Sequence, residues 1–184
     1  MLRIIGGQFR HRRLALPEVE TSRPTMDKVR EAVFSSIHEK VPNSAFLDLF
    51  AGSGAVGLEA LSRGATKVFF NEIDRKVQKT LVRNILTFDP ERKSTVVLSK
   101  DYADAIRYLS DKGQRFDIIY MDPPYSFGEI SKIVISLYQS GLLNPKALAI
   151  VEETIQPMAL PDFSLKVHRY GKKFIGTYEL SEAA

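Results

Sequence analysis

The 184-residue chain contains no cysteine and only three histidines, which are far apart in the sequence. The absence of cysteine excludes disulfides, thiolate metal sites and a cysteine nucleophile. A metal centre built on histidine is not expected, and we predict no metal. No apolar run is long enough to span a bilayer and no signal-peptide pattern is present, so we expect a cytoplasmic protein without a membrane partner. Length and composition fit one soluble domain, with or without a small appendage.

Positive charge is concentrated near the start of the sequence. The net charge is +4 and the pI is about 9.2. Residues 1–30 contain seven Lys and Arg against three Asp and Glu, a difference of +4, so the rest of the chain is neutral overall. A basic segment on a neutral body suits contact with a phosphate backbone. The alternative is a solvated basic arm without a partner.

From residue 45 onward, short apolar runs alternate with amphipathic segments. The predicted strands are 45–50, 67–72, 95–99, 116–121 and 147–151. The predicted helices are 55–63, 102–112 and 129–139. Another helix is predicted between the second and third strands, with Val77, Leu81, Ile85 and Leu86 on one face. This alternation predicts a parallel, doubly wound sheet covered by helices. The alternating segments 163–170 and 173–180 predict an antiparallel hairpin at one edge.

The first residues differ from this pattern. Residues 2–16 predict a short hairpin or arm that turns at Gly6-Gly7, and residues 16–23 resemble a linker. An amphipathic helix is predicted over 25–41, because apolar residues recur there at spacings of three and four. We therefore divide the chain into a basic N-terminal arm, 1–24, and an α/β domain, 25–184.

The most informative stretch is Asp122-Pro123-Pro124-Tyr125, which follows the apolar run 116–121. Prolines lack amide protons and cannot continue a β-ladder, so the strand is predicted to end at Met121. Asp122 and the Pro123 carbonyl can each accept a hydrogen bond from an exocyclic amine while Tyr125 stacks on the ring. With both N–H groups held in this way, the lone pair of the amine nitrogen would point at an electrophile on the remaining side of that nitrogen. The alternative is a surface turn that caps a helix.

A glycine-rich loop follows the first predicted strand. Gly52 and Gly54 permit a tight turn and close approach of a ligand to the backbone, and with Gly57 they match G-x-G-x-x-G. Asp48 lies near the end of that strand, where its charge would repel a pyrophosphate. It would instead suit a ligand that carries an ammonium group. The loop therefore disfavours a nicotinamide cofactor.

Acidic residues also end the next two predicted strands. Glu72 is placed to accept hydrogen bonds from ribose hydroxyls and Asp101 from an adenine amino group, whereas Asp74 is expected to cap the following helix. Helix capping is the alternative for Glu72 and Asp101 as well. S-adenosylmethionine has an amino acid end, a ribose and an adenine, which fit the three strand ends together. Its sulfonium methyl is the electrophile that the amine clamp needs.

Together these motifs resemble class I S-adenosylmethionine-dependent methyltransferases that modify amino groups. The segments Arg3–Arg10, Arg23–Thr25 and Val29–Phe34 narrow the resemblance to the RsmD family, over nearly the whole chain. One departure is His11, where the family usually has glycine.

The resemblance implies a Rossmann-like α/β fold with a mostly parallel seven-stranded sheet, an antiparallel C-terminal hairpin, and an N-terminal basic hairpin and helix. It also implies methylation of the 2-amino group of one guanine in 16S rRNA, within the small ribosomal subunit or an assembly intermediate. The cofactor would be S-adenosylmethionine and the product S-adenosylhomocysteine. The sequence does not fix the oligomeric state, and we expect a monomer.

The motifs and the resemblance define three sets of residues. The predicted catalytic residues are Asp122, Pro123, Pro124 and Tyr125. The predicted cofactor-binding residues are Asp48, Phe50, Gly52, Gly54, Glu72, Ile73, Asp101, Tyr102 and Asp122. The predicted RNA-binding residues are Arg3, Arg10, Arg12, Arg13, Arg23 and Thr25. Three other functions stay open: an adenine-specific methyltransferase acting on DNA or RNA, a non-catalytic nucleic-acid-binding module, and a nicotinamide-dependent oxidoreductase.

Overall fold

The computed structural model describes residues 2–18, 24–123 and 130–181, which form a mixed sheet with helices on both faces. The strands are β1 (Ala45–Asp48), β2 (Lys67–Asn71), β3 (Thr95–Leu98), β4 (Phe116–Met121), β5 (Leu143–Glu153), β6 (Phe163–Tyr170) and β7 (Lys173–Leu180). The helices are α1 (Pro24–Ser36), α2 (Ala55–Ser62), α3 (Arg75–Phe88), α4 (Tyr102–Asp111) and α5 (Ile130–Gln139). None of these helices is both long and apolar enough to cross a membrane.

The seven strands are arranged in the order β3-β2-β1-β4-β5-β7-β6. Strands β1 to β5 pair in parallel, and β7 pairs antiparallel with both β5 and β6. The predicted Rossmann-like α/β fold, with its antiparallel pair at one edge, is therefore confirmed. Because the strand order reverses between β1 and β4, a crevice opens at their carboxyl ends, where open α/β sheets bind ligands.

Two apolar layers cover the sheet, one beneath α1 to α3 and the other beneath α4 and α5. The central strands are buried on both faces, which accounts for their almost continuous apolar sequence. In β4, for example, Ile118 contributes to the first layer and Ile119 to the second, and both are fully buried. The sheet therefore positions its strand ends rigidly.

Two elements differ in length from their predicted bounds. Strand β5 was predicted over 147–151 but spans Leu143–Glu153, because β4 pairs with Leu143 at one end and β7 pairs with Glu152 and Glu153 at the other. Helix α1 was predicted over 25–41 but ends at Ser36. The Val33 carbonyl accepts from the Ser36 hydroxyl at 2.7 Å as well as from Ile37 N at 3.2 Å. The next turn is closed by a bond from Lys40 N to Ile37 O, an i to i−3 spacing that no longer follows the α-helix.

Residues 2–14 form an antiparallel N-terminal hairpin, with hydrogen bonds from Ile4 N to Arg12 O and from Leu14 N to Leu2 O. The side chains of Leu2, Ile4 and Leu14 are buried in the layer beneath α1 to α3. His11 has a φ of 70°, in the left-handed region that glycine adopts more easily. That conformation gives a physical reason for glycine at this position.

A buried carboxylate attaches the hairpin to α2. Glu59 has no exposed surface, and its oxygens accept from Ile5 N at 2.8 Å, Gly6 N at 2.7 Å and Arg63 Nε at 2.8 Å. Arg30 Nε lies 3.6 Å from the second oxygen. A buried charge is tolerated only when it is paired and hydrogen-bonded, and Glu59 is both. The hairpin is therefore fixed to the body by a specific polar contact.

The approach of the hairpin to the end of α2 is also sterically close. Gly7 has a φ of 75°, and a Cβ atom there would lie 1.9 Å from the Ser62 carbonyl oxygen. Only glycine fits this contact. Ser62 also accepts from Gln8 N and Phe9 N.

Candidate active site

A cavity of about 1100 Å³ opens at the carboxyl edge of the sheet. Segments that follow β1, β2, β3, β4 and β5 line it, together with Lys173 at the start of β7. Because β7 is antiparallel to β5, its first residue lies at the same edge as the ends of the parallel strands. Leu2, Pro17, Met26 and Arg30 contribute further lining from the hairpin, the segment after it, and α1. The cavity is large enough for a cofactor and a second planar group.

The loop after β1 begins at Leu49, two residues earlier than predicted. Gly52 and Gly54 have φ values of 52° and 83°, and Gly54 is the N-cap of α2. Asp48 is buried and accepts a hydrogen bond from Gly57 N at 3.0 Å, so it holds the start of α2. Asp48 and Gly52 also line the cavity.

Glu72 connects the loops that follow β1 and β2. One of its oxygens accepts from Gly52 N at 2.9 Å and the other from Asp74 N at 2.8 Å. A carboxylate oxygen has two lone pairs, so each oxygen retains acceptor capacity toward the cavity. Asp74 caps α3 as predicted, accepting from Lys76 N at 2.7 Å.

Asn71 adds a connection that sequence reasoning missed. Its buried side chain donates to the carbonyls of Leu49 and Lys100 at 3.3 and 3.0 Å and accepts from Lys100 N at 3.2 Å. These bonds link the ends of β1, β2 and β3. The cavity floor is therefore held by side chains as well as by the sheet.

Aromatic and apolar side chains line the part of the cavity near β2 and β3. The rings of Phe50 and Tyr102 lie 5.9 Å apart, and Ile73 is 61% exposed. Asp101 accepts a hydrogen bond from Ala103 N at 2.9 Å and so caps α4, which is the alternative role considered for it from the sequence. These residues offer apolar surface and one carboxylate to a planar ring.

Four polar side chains converge beside the end of β4. Lys173 Nζ lies 3.6 Å from Asp122 Oδ1 and contacts Glu152 Oε1, and the Tyr120 hydroxyl donates to Glu152 Oε2 at 2.6 Å. Burial opposes the charge of Lys173, but the carboxylates of Asp122 and Glu152 outweigh it and raise the pKa of the ammonium group. Burial and the same two carboxylates raise the pKa of Tyr120 well above its usual value, so its hydroxyl stays protonated. Asp122 is thus held beside a cation.

The structure brings most of the predicted site residues together. Asp48, Phe50, Gly52, Glu72, Ile73, Asp101, Tyr102, Asp122 and Pro123 all line the cavity. Gly54 is not part of the lining and instead shapes the turn into α2. Pro124, Tyr125 and Arg23 lie outside the described residues, as does the side chain of Thr25. Arg3, Arg10, Arg12 and Arg13 are exposed on the hairpin.

Sequence reasoning did not identify Tyr120, Glu152 or Lys173. Glu152 could have been found from the sequence, because it directly follows the apolar run 147–151, just as Asp122 directly follows the run 116–121. Lys173 had none, since its position depends on the direction of β7. Within the described ranges, no cluster of three or more His, Asp or Glu residues could hold a metal ion.

Known proteins share both the sequence and the fold. A family model described as "Conserved hypothetical protein 95" matches residues 2–181. Ribosomal RNA small subunit methyltransferase D from Escherichia coli (strain K12) is 37% identical over 155 residues, covering 84% of this chain and 76% of that protein. The protein of the same name from Haemophilus influenzae is 35% identical over 162 residues, covering 88% and 83%.

A solved structure extends the comparison to the fold. The Escherichia coli protein yhhF superposes with a TM-score of 0.85 and 34% sequence identity, covering 98% of each chain. The family model and this superposition span the hairpin, the cavity and the C-terminal strands alike.

Proposed function

The chain belongs to the ribosomal RNA small subunit methyltransferase D family, and we propose that it transfers a methyl group from S-adenosylmethionine to the 2-amino group of one guanine in 16S rRNA. The observation that carries this proposal is the single cavity that joins Asp122 at the end of β4 to the acids and glycines at the ends of β1 to β3. The RNA is presented within the small ribosomal subunit or an assembly intermediate. The enzyme acts as a monomer and releases S-adenosylhomocysteine.

The residues that line the cavity fit this cofactor from end to end. The Glu72 oxygens accept from ribose hydroxyls, since each retains acceptor capacity after its backbone contact. Asp48 favours the ammonium group of the amino acid end. Phe50, Ile73 and Tyr102 supply apolar surface to the adenine, and Asp101 accepts from its amino group.

The end of β4 orients the target amine. The Asp122 carboxylate and the Pro123 carbonyl accept hydrogen bonds from its two N–H groups, and Tyr125, outside the described residues, stacks on the base. S-adenosylmethionine, when bound, supplies an electrophilic methyl group on a sulfonium. Transfer of that methyl group would form the N–C bond as the C–S bond breaks with its electron pair left on sulfur, and the cationic nitrogen would then release one proton to solvent. Because no strong base is required, positioning supplies most of the rate.

The proposal is tested by methyl transfer from labelled S-adenosylmethionine. Small ribosomal subunits that lack the modification, free 16S rRNA and genomic DNA are offered in parallel, and the labelled nucleoside is identified by mass. We expect label in 2-methylguanosine from the ribosomal RNA. Label in methyladenine from DNA would overturn the substrate, and cofactor binding without label on any substrate would overturn the activity.

Lys173 is expected to position Asp122 for this reaction. In Lys173→Met, two neighbouring carboxylates lose their shared cation, so Asp122 moves away from Glu152. A displacement of about 1 Å at a reacting group costs about a hundredfold in rate. We therefore expect kcat to fall about a hundredfold, with little change in the Kd of S-adenosylmethionine measured by calorimetry.

The adjacent residue provides the matched control. Lys172 is exposed in the turn before β7, so Lys172→Met removes the same charge without touching Asp122. Lys173→Arg should restore much of the rate because it retains a cation. Equal losses in Lys172→Met and Lys173→Met, or loss of cofactor binding in step with kcat, would contradict the positioning role.

A further inference from the structure

The solvent face of α3 carries four basic residues, and the helix contains no acidic residue. Arg75, Lys76, Lys79 and Arg83 are all exposed. At 3.6 residues per turn they fall within an arc of about 100° and extend about 12 Å along the helix. The buried side chains of the helix, Val77, Leu81, Asn84, Ile85 and Phe88, lie on the opposite face. The cations therefore form one stripe, called here the α3 stripe.

The charge of the α3 stripe is not neutralised by neighbouring side chains. Across the described ranges, none of its four residues has a carboxylate within ion-pair distance. Some other cations of the described ranges do have such partners, among them Arg30, Lys40, Arg63, Lys93, Arg107 and Lys173. Four unpaired charges on one helix face repel one another, so an anionic partner would stabilise them.

The α3 stripe is continuous with the N-terminal hairpin. The Arg12 guanidinium lies 4.7 Å from the centroid of the Phe88 ring and donates to the Thr87 carbonyl at 3.2 Å. Asn84 exchanges two hydrogen bonds of 2.9 Å with the backbone of Ala15. Arg12 of the hairpin thus lies beside the C-terminal end of α3.

The other end of α3 reaches the cavity. Asp74 and Val77, on either side of Arg75 and Lys76, are part of the cavity lining. One basic surface therefore extends from the rim of the cavity, along α3, to the hairpin. Leu86, which was predicted on the apolar face of α3, is instead 45% exposed, whereas Val77, Leu81, Ile85 and Phe88 are buried in the core. One exposed leucine does not provide the broad apolar face with which an interfacial helix enters a membrane.

We propose that the α3 stripe and the hairpin form one surface that binds the phosphate backbone of the RNA substrate. The inference rests on the proposed function and adds to it the contact surface outside the cavity. A nucleic acid strand presents one phosphate per about 3.4 Å of rise, so the stripe spans three to four phosphates. The RNA backbone bound there leads toward the cavity that receives the target base.

The test is the salt dependence of RNA binding in a variant with Arg75, Lys76, Lys79 and Arg83 changed to Gln. Its Kd for free 16S rRNA is measured between 50 and 200 mM KCl beside the wild type. Each lost phosphate contact lowers the slope of log K against log salt by about 0.7 to 0.9, so four contacts lower it by about 3. The affinity ratio of wild type to variant should shrink by on the order of a hundredfold across this range. The Kd of S-adenosylmethionine should not change.

A second variant matches the change in net charge. It replaces four exposed cations on other surfaces by Gln: Lys112, Arg115, Lys166 and Lys172. We expect its salt slope to stay close to that of the wild type. Equal salt slopes for the two variants would overturn the proposal. It would also be overturned if the α3 variant lost binding to vesicles that contain anionic phospholipid but kept the wild-type salt slope for RNA.

These measurements distinguish failure of the proposed function from failure of the proposed α3 surface. A wild type that neither binds nor methylates RNA would reject the proposed function and the α3 surface together. A wild type that methylates RNA, with an unchanged slope in the α3 variant, would reject the α3 surface alone.

Discussion

Asp122→Ala is expected to lower the rate of methyl transfer by about a thousandfold and to leave the affinity for S-adenosylmethionine within about threefold of the wild type. Asp122 lies at the end of β4 beside Lys173, where in our proposal it accepts a hydrogen bond from the target amine. Its loss leaves the amine lone pair undirected. The cofactor contacts of Asp48, Glu72 and Asp101 come from other strands. Single-turnover transfer and calorimetric binding measure the two effects separately.

A conservative variant and a surface control accompany Asp122→Ala. Asp122→Asn keeps the shape and one acceptor but loses the charge beside Lys173, so an intermediate rate is expected. Asp104→Ala removes an exposed carboxylate of α4 that pairs with Arg107 outside the cavity, and it should leave the rate unchanged. Loss of cofactor binding as large as the loss of rate would show that Asp122 holds the cofactor rather than the amine.

Glu59→Ala is expected to lower the free energy of unfolding by about 3–5 kcal/mol, because it leaves Arg30 and Arg63 without their buried carboxylate. The amides of Ile5 and Gly6 also lose their acceptor. Typical domains are stable by about 5–15 kcal/mol, so the loss is a large share of the total. Denaturant unfolding gives the free energy. Hydrogen exchange at Ile5 and Gly6 reports release of the hairpin from α2.

The control for Glu59→Ala is Glu31→Ala, which removes an exposed glutamate of α1. A surface substitution of this kind changes stability by less than about 0.5 kcal/mol. If Glu59→Ala costs no more than Glu31→Ala, the buried network does not hold the hairpin. The milder Glu59→Gln variant keeps one acceptor oxygen and permits the hydrogen-exchange measurement if the alanine variant does not fold.

Sequence pattern predicted the sheet well because its central strands are short, apolar and bounded by turn residues. The predicted ends of strands and helices were less accurate where contacts with residues distant in the sequence decide them. Glu152 and Glu153 are poor strand formers, yet pairing with β7 keeps them in β5. At the other end Leu143 pairs with β4, and the segment 144–147 between it and Leu148 is irregular, with a φ of 62° at Lys146. Helix α1 stops at Ser36, where the backbone changes to a turn closed by an i to i−3 bond from Lys40 N to Ile37 O.

The site was predictable where its residues directly follow a parallel strand. Asp48, Glu72, Asp101 and Asp122 each follow or end an apolar run, and parallel strands bring their carboxyl ends to one edge. The second role of Asp101, as the N-cap of α4, was also foreseeable from its place before a helix. Roles of these side chains toward cofactor and RNA stay predictions.

The sequence by itself determined the strand and helix order, the acids at the strand ends and the basic character of the first thirty residues, because periodicity, turn residues and charge are local properties. Only the tertiary structure decided that Lys173 meets Asp122, that Glu59 is buried beneath the hairpin, and that Arg12 of the hairpin lies beside the end of α3. Each of these contacts joins residues that are distant in the chain. Their meeting depends on strand direction and packing, which no local pattern of residues specifies.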